Sequence, residues 1–136
     1  MSTNFAEMFA AARADRNAGR RDEAERAYGD AAGQARSQNE PLALAHAQRH
    51  VSDLARERGS VDEALSAAAE AVAIYRAQPG SRPLDLANAL RLNALALDAA
   101  DRRDEARPLW QEARGLYASV GVTAGVDEAD VRLARE

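Results

Sequence analysis

Alanine recurs along the chain at helical spacing, and the stretches that contain it are separated by short runs of polar residues, Gly and Pro. Three alanine pairs have their members seven residues apart: Ala24 and Ala31, Ala64 and Ala71, and Ala106 and Ala113. Seven residues are two turns of an α-helix, so each pair lies on one helix face, where its small side chains let a neighbouring helix approach closely. The pattern predicts an all-α chain.

Breaks between these stretches divide the chain into seven predicted helices, at about 5–17, 21–37, 41–58, 61–77, 83–100, 103–120 and 125–135. Asn4 and Ser60 precede two of them and have Glu7 and Glu63 three residues on, the spacing of a capping box. Pro41 stands at a first-turn position, where its missing N–H costs no hydrogen bond.

A fixed period relates the helices to one another. The tripeptide Asp-Glu-Ala begins at positions 22, 62 and 104, and Pro-Leu-Ala-Leu-Ala at 41 recurs as Pro-Leu-Asp-Leu-Ala at 83. A period of 40–42 residues is typical of stacked units that bury their apolar faces against neighbours. We therefore expect one domain over 1–136, with repeats at about 4–37, 41–77 and 83–120 and a capping helix at about 124–135.

Within each unit, small residues and aromatic residues occupy corresponding positions. The first helices contain a small residue, Ala12, Ser52 or Ala94, and Gly stands at the turn of the first two units. The second helices have Tyr28, Ala68 or Trp110 between the two alanines of each pair. This pattern resembles the tetratricopeptide repeat family in its 42-residue variant, over about residues 4–120. The resemblance implies a right-handed helical solenoid of three antiparallel helix pairs plus a C-terminal capping helix. Asp101 departs from the family at the third turn, and Ala68 replaces an aromatic residue.

Composition narrows the functional classes. All 18 basic residues are Arg, as in proteins of GC-rich bacterial genomes, and the net charge of −4 argues against non-specific nucleic-acid binding. The chain contains no Cys, no apolar run long enough for a membrane span, and no leader pattern after Met1. We expect a cytoplasmic protein without a cofactor.

Candidate catalytic groups are few. The acidic pairs of the Asp-Glu-Ala tripeptides fall in first turns, where carboxylates stabilise the helix dipole. No Ser/His/Asp arrangement and no phosphate-binding loop is present, so we expect no enzyme activity. His46, His50 and Asp53 share one helix face and are the residues of an alternative, a small metal-dependent hydrolase.

In the family, the first helix of each pair lines a concave groove that holds partner peptides. Alignment of the repeats then predicts a stripe of groove residues: Arg13, Arg16, His46, Arg49, His50, Asp53, Arg56, Asn88 and Arg91. This excess of Arg on an acidic protein favours a ligand with carboxylates or phosphate. The alternative is that these arginines pair with acids on adjacent helices.

Together these features predict a non-catalytic protein–protein interaction module that binds an acidic peptide or partner segment in its groove. A self-associating structural unit is the alternative from another class, and homo-oligomerisation stays open.

Overall fold

The computed structural model describes residues 3–135, which form seven α-helices and no strand in that range. The helices are α1 (Phe5–Asn17), α2 (Arg21–Ser37), α3 (Pro41–Glu57), α4 (Val61–Ala77), α5 (Pro83–Ala99), α6 (Arg103–Ser119) and α7 (Thr123–Leu133). The all-α prediction is confirmed. Within the described range, no helix combines the length and apolar character needed to cross a membrane.

The two predicted capping boxes have different outcomes. The Asn4 side chain accepts a hydrogen bond from the backbone N–H of Glu7 at 3.1 Å and so caps α1. Ser60 makes no side-chain hydrogen bond to the start of α4, so the capping role expected for it is wrong. The backbone carbonyl of Ser60 still begins the helix by accepting from the N–H of Ala64.

Each helix packs against the next along the chain, and α3 also contacts α5. Side-chain contacts sort the helices into two rows: those of α1, α3 and α5 reach one another, and so do those of α2, α4 and α6. The six alanines of the sequence register are all at most 1% exposed, as the close approach of neighbouring helices requires. Tyr28, Ala68 and Trp110, between the members of each pair, are buried too.

In each unit, the turn between the two helices contains one residue with a left-handed backbone conformation. Gly19 and Gly59 have φ of 82° and 91°, and Asp101 takes the same place in the third unit with φ of 61°. Asp is one of the few non-glycine residues that adopt this region readily. The departure at Asp101 therefore leaves the turn geometry unchanged.

A repeated ion pair connects α2, α4 and α6. Arg36 donates two hydrogen bonds to Glu70, both at 2.9 Å, and Arg76 donates two to Glu112, at 2.8 and 2.7 Å. The two arginines are 40 residues apart in the sequence, and the two glutamates are 42 apart. This ion pair therefore recurs with the same 40–42-residue period as the helices.

The last helix, α7, begins at Thr123, two residues before the predicted start. Val126 and Leu133 pack on the core and Ala129 is buried, whereas Val131 is 58% exposed. Val131 does not belong to the apolar face of this helix, because it is two residues from Ala129 and so lies on the opposite side. The cover over α6 is therefore built on residues 126, 129 and 133, with Gly125 against Tyr117.

Candidate ligand groove

Two clefts open beside α3 and α5. The narrow cleft, of about 130 Å³, is lined by Arg16, Arg49, His50, Asp53, Asn88, Arg91 and Leu92. The wide cleft, of about 790 Å³, begins at Arg56 and Leu95 and extends to α6 and the end of α7. Leu92 and Leu95 are one turn apart on α5, as Asp53 and Arg56 are on α3, so the same helix faces line both clefts.

The structure brings most of the predicted stripe together. Six of its nine residues line the narrow cleft, and Arg56 lines the wide one. His46 packs between the ring of Phe9 and that of His50 and lines neither of these two clefts. Arg13 is exposed on α1 and forms no ion pair within residues 3–135.

Asp53 lies at the centre of an arginine cluster. It accepts from Arg16 and from Arg56, each at 2.6 Å, and Arg16 also donates to Glu57 at 2.6 Å. Partial burial by itself would raise the pKa of Asp53, but the hydrogen bonds from the two arginines outweigh it and lower the pKa below its usual range. Asp53 is therefore ionised at neutral pH.

Arg49 is held less closely. Its Nη1 lies 3.3 Å from the Asp85 carboxylate and 3.3 Å from the hydroxyl of Tyr75. Asp85 has a second cationic partner, since Arg82 donates to both of its oxygens at 3.1 and 3.2 Å.

Arg91 and Asn88 connect α5 to the C-terminal helices. Arg91 forms two hydrogen bonds with Glu128 of α7, and the Tyr117 hydroxyl donates to the side-chain oxygen of Asn88 at 2.6 Å. The arginines of the stripe on α3 and α5, together with Arg16, thus pair with acids. The sequence alone suggests that these arginines repel one another, but in the structure the paired acids offset that repulsion.

His46 and His50 belong to a cluster of stacked rings. The centroids of Phe9 and His46 are 4.3 Å apart, those of Tyr28 and His50 are 4.3 Å apart, and the two imidazoles are 4.9 Å apart. Burial, reinforced by the positive charge of Arg49, lowers the pKa of His46 to about 4. Burial, reinforced by His46 and Arg49, lowers the pKa of His50 to about 3. Both imidazoles are neutral at physiological pH.

The alternative metal site finds no support in this geometry. Both histidine rings lie against aromatic rings, and Asp53 is occupied by two arginines. Within residues 3–135, no three His, Cys, Asp or Glu side chains converge in a way that would hold a metal ion.

The wide cleft combines Arg56 and Asp98, which align between the repeats, with further charged residues of α6 and α7 and of the end of the chain. Five arginines and two aspartates line it: Arg56, Arg103, Arg107, Arg132, Arg135, Asp98 and Asp104. Trp110, almost fully buried, donates its indole N–H to Asp98 at 3.0 Å, and the guanidinium of Arg132 lies 5.7 Å from the centre of the indole ring. Arg107 donates to the backbone carbonyl of Leu133 at 3.0 Å and so holds the end of α7 in place.

Sequence reasoning included Asp53 but missed three other acids that pair with the groove arginines: Asp85, Glu128 and Glu57. Asp85 stands three residues before Asn88 and six before Arg91 on α5, so the helical spacing of the stripe would have included it. Glu128 gave no such signal, because α7 has no counterpart in the other units. Glu57 follows Arg56 directly, and only the structure shows that it reaches Arg16 and Arg21.

No known family model matches the chain, and no curated protein matches it. The relation to the tetratricopeptide repeats therefore stays a hypothesis drawn from the residue pattern.

Proposed function

We propose that this chain is a tetratricopeptide-like interaction module: a right-handed solenoid of three antiparallel helix pairs, closed by α7. It binds an acidic, extended segment of a partner protein along α3 and α5 and catalyses no reaction. The observation that supports this most directly is the succession of the two clefts along the same faces of these helices.

The chemistry of the clefts favours a peptide with carboxylates. Arginine is the commonest charged residue in both, and its guanidinium binds carboxylates through two parallel hydrogen bonds. Leu92 and Leu95 add apolar surface at the floor of the two clefts. Because the two clefts follow one another along α3 and α5, their charged and apolar contacts suit an extended peptide better than a compact ligand.

The proposal can be tested without knowing the partner. A random-peptide display library is selected against the immobilised chain, and the strongest peptide is titrated into 15N-labelled protein. We expect the largest amide shift changes in α3 and α5 around Asp53 and Leu92, and unchanged signals at exposed positions of α4 such as Ala69 and Ala73. Affinity should also fall as salt rises, because exposed charges are screened over about 8–10 Å at physiological ionic strength.

Selected peptides that shift the α2, α4 and α6 signals instead would move the binding surface to the other row of helices. A library that yields no specific peptide would contradict a peptide-binding role.

A further inference from the structure

Arg49 and Arg56 are distinguished within residues 3–135 by an unmet hydrogen bond. In each, the Nε–H is buried and has no acceptor. A buried donor without an acceptor destabilises a protein, and native structures contain few of them. Both side chains line a cleft, Arg49 the narrow one and Arg56 the wide one.

These two arginines can also leave their present partners without exposing an unpaired acid. If Arg56 turns away from Asp53, that carboxylate keeps Arg16 at 2.6 Å. If Arg49 turns away from Asp85, that carboxylate keeps Arg82 at 3.1 Å. The duplication lowers the free-energy cost of releasing either guanidinium to a ligand, because no acid is left without a cation.

Arg91 provides the contrast. Within residues 3–135, the carboxylate of Glu128 has no other arginine partner, so movement of Arg91 would leave Glu128 unpaired. Its hydrogen bonds hold α7 against α5, which is a structural role.

The spacing of Arg49 and Arg56 defines a complementary ligand. The two residues are seven apart on α3, which is two turns and places them about 10.5 Å apart on one face. A peptide in the polyproline II conformation rises about 3.1 Å per residue with three residues per turn. Side chains three residues apart in such a peptide therefore project from the same side, about 9 Å from each other.

We propose that Arg49 and Arg56 each bind one carboxylate of an extended partner peptide, and that the two acidic residues are three positions apart. In the bound state each guanidinium turns its Nε–Nη edge to a carboxylate, which accepts both hydrogen bonds and satisfies the buried Nε–H. The proposal deepens the peptide-binding function above and rests on it.

The test compares three capped eight-residue peptides of Ala and Pro. Each contains two Glu residues, spaced one, three or six positions apart, so that all have the same charge. We expect the peptide with spacing three to bind wild-type protein about tenfold more tightly than the other two by titration calorimetry, since only it engages both guanidinium groups. This comparison needs no variant and so does not depend on a mutant that folds.

The second arm uses substitutions. R49Q and R56Q should each abolish the tenfold preference for spacing three, whereas R36Q, which removes the same charge from the row of α2, α4 and α6, should retain it. Thermal unfolding of the three variants confirms that they are folded at the titration temperature.

Equal binding of the three peptides, absence of binding by all of them, or a preference that survives in both groove variants would each overturn this inference. The peptide-binding function would still stand if library peptides without this acidic spacing map to α3 and α5, so the two failures can be told apart.

Discussion

The imidazole ring of His50 lies almost parallel to the phenol ring of Tyr28, with an interplanar angle of 7° and centroids 4.3 Å apart. The contact joins α3 to α2 below the narrow cleft. His50 is neutral in this position, because burial and nearby positive charges lower its pKa to about 3. His46 beside it has a pKa lowered to about 4 for the same reason.

We predict that the protein loses stability as pH falls from 6.5 to 4.5. In this window the histidines of the unfolded chain take up protons, whereas those of the folded chain stay neutral. The free energy of unfolding should therefore decrease with falling pH by up to about 1.4 kcal/mol per pH unit for each histidine. Asp53 and Glu70, whose pKa values are below their usual ranges, add a further loss towards the acid end of this window and below it, as the unfolded carboxyls begin to protonate.

Urea unfolding at a series of pH values measures this slope, and H50F supplies the matched variant. Phe keeps a ring against Tyr28 and removes one titrating group, so the slope between about pH 6.5 and 5.5, above the range in which unfolded carboxyls protonate, should fall by about half. An unchanged slope in H50F would show that His50 is protonated in the folded protein.

Ala71→Leu should destabilise the fold. Ala71 is fully buried in the core formed by α4, α5 and α6, and added methyl and methylene groups there force neighbouring helices apart. We expect a loss of about 1–3 kcal/mol in the free energy of unfolding, measured by urea denaturation. Ala73→Leu, on the exposed side of the same helix, should leave the free energy nearly unchanged, and equal losses in both would refute the alanine register.

Gly125→Ala should weaken the docking of α7. A Cβ at Gly125 would lie within 3.0 Å of three ring atoms of Tyr117, whose ring is buried and whose hydroxyl is held by Asn88. The overlap should cost about 1–3 kcal/mol, more than Ala gains over Gly in a helix.

Gly115→Ala in α6 is the control for that experiment. Its Cβ would meet no atom within 4 Å, so the variant should gain about 0.5–1 kcal/mol from helix propensity. A stabilised Gly125→Ala would mean that α7 does not pack against Tyr117 as the structure shows.

Arg91 and Glu128 should be energetically coupled. In a double-mutant cycle with R91A and E128A, we expect a coupling energy of up to about 1 kcal/mol, since both side chains are about one-third exposed and solvent screens their attraction. Each single variant should also increase amide hydrogen exchange in α7. Additive effects of the two substitutions would indicate that this contact does not hold α7.

The helices and the crossing positions could be predicted because each is a local requirement repeated in every unit. A small residue at Ala64 or Ala106 is needed wherever two helix axes approach, and the period multiplies the evidence. Ser60 shows the limit: its side chain fits the capping pattern, yet the backbone at the start of α4 forms without it.

The pairing within the groove could not be predicted in the same way. Arg16 reaches Asp53 from 37 residues away, and Arg91 reaches Glu128 across the same separation. Long flexible side chains can choose among several acids, and only the packing of α1, α3, α5 and α7 decides which acid is near. The sequence indicated an excess of arginine, and the structure shows that Asp85, Glu57 and Glu128 offset much of it.

The link from Arg36 to Glu70 and from Arg76 to Glu112 bears on how such a chain can change in length. The middle unit contains one acceptor, which faces the unit before it, and one donor, which faces the unit after it. A tandem duplication of residues 41–82 would therefore insert a unit whose glutamate meets Arg76 and whose arginine meets Glu112. Growth by whole units leaves no charge of this series unmatched.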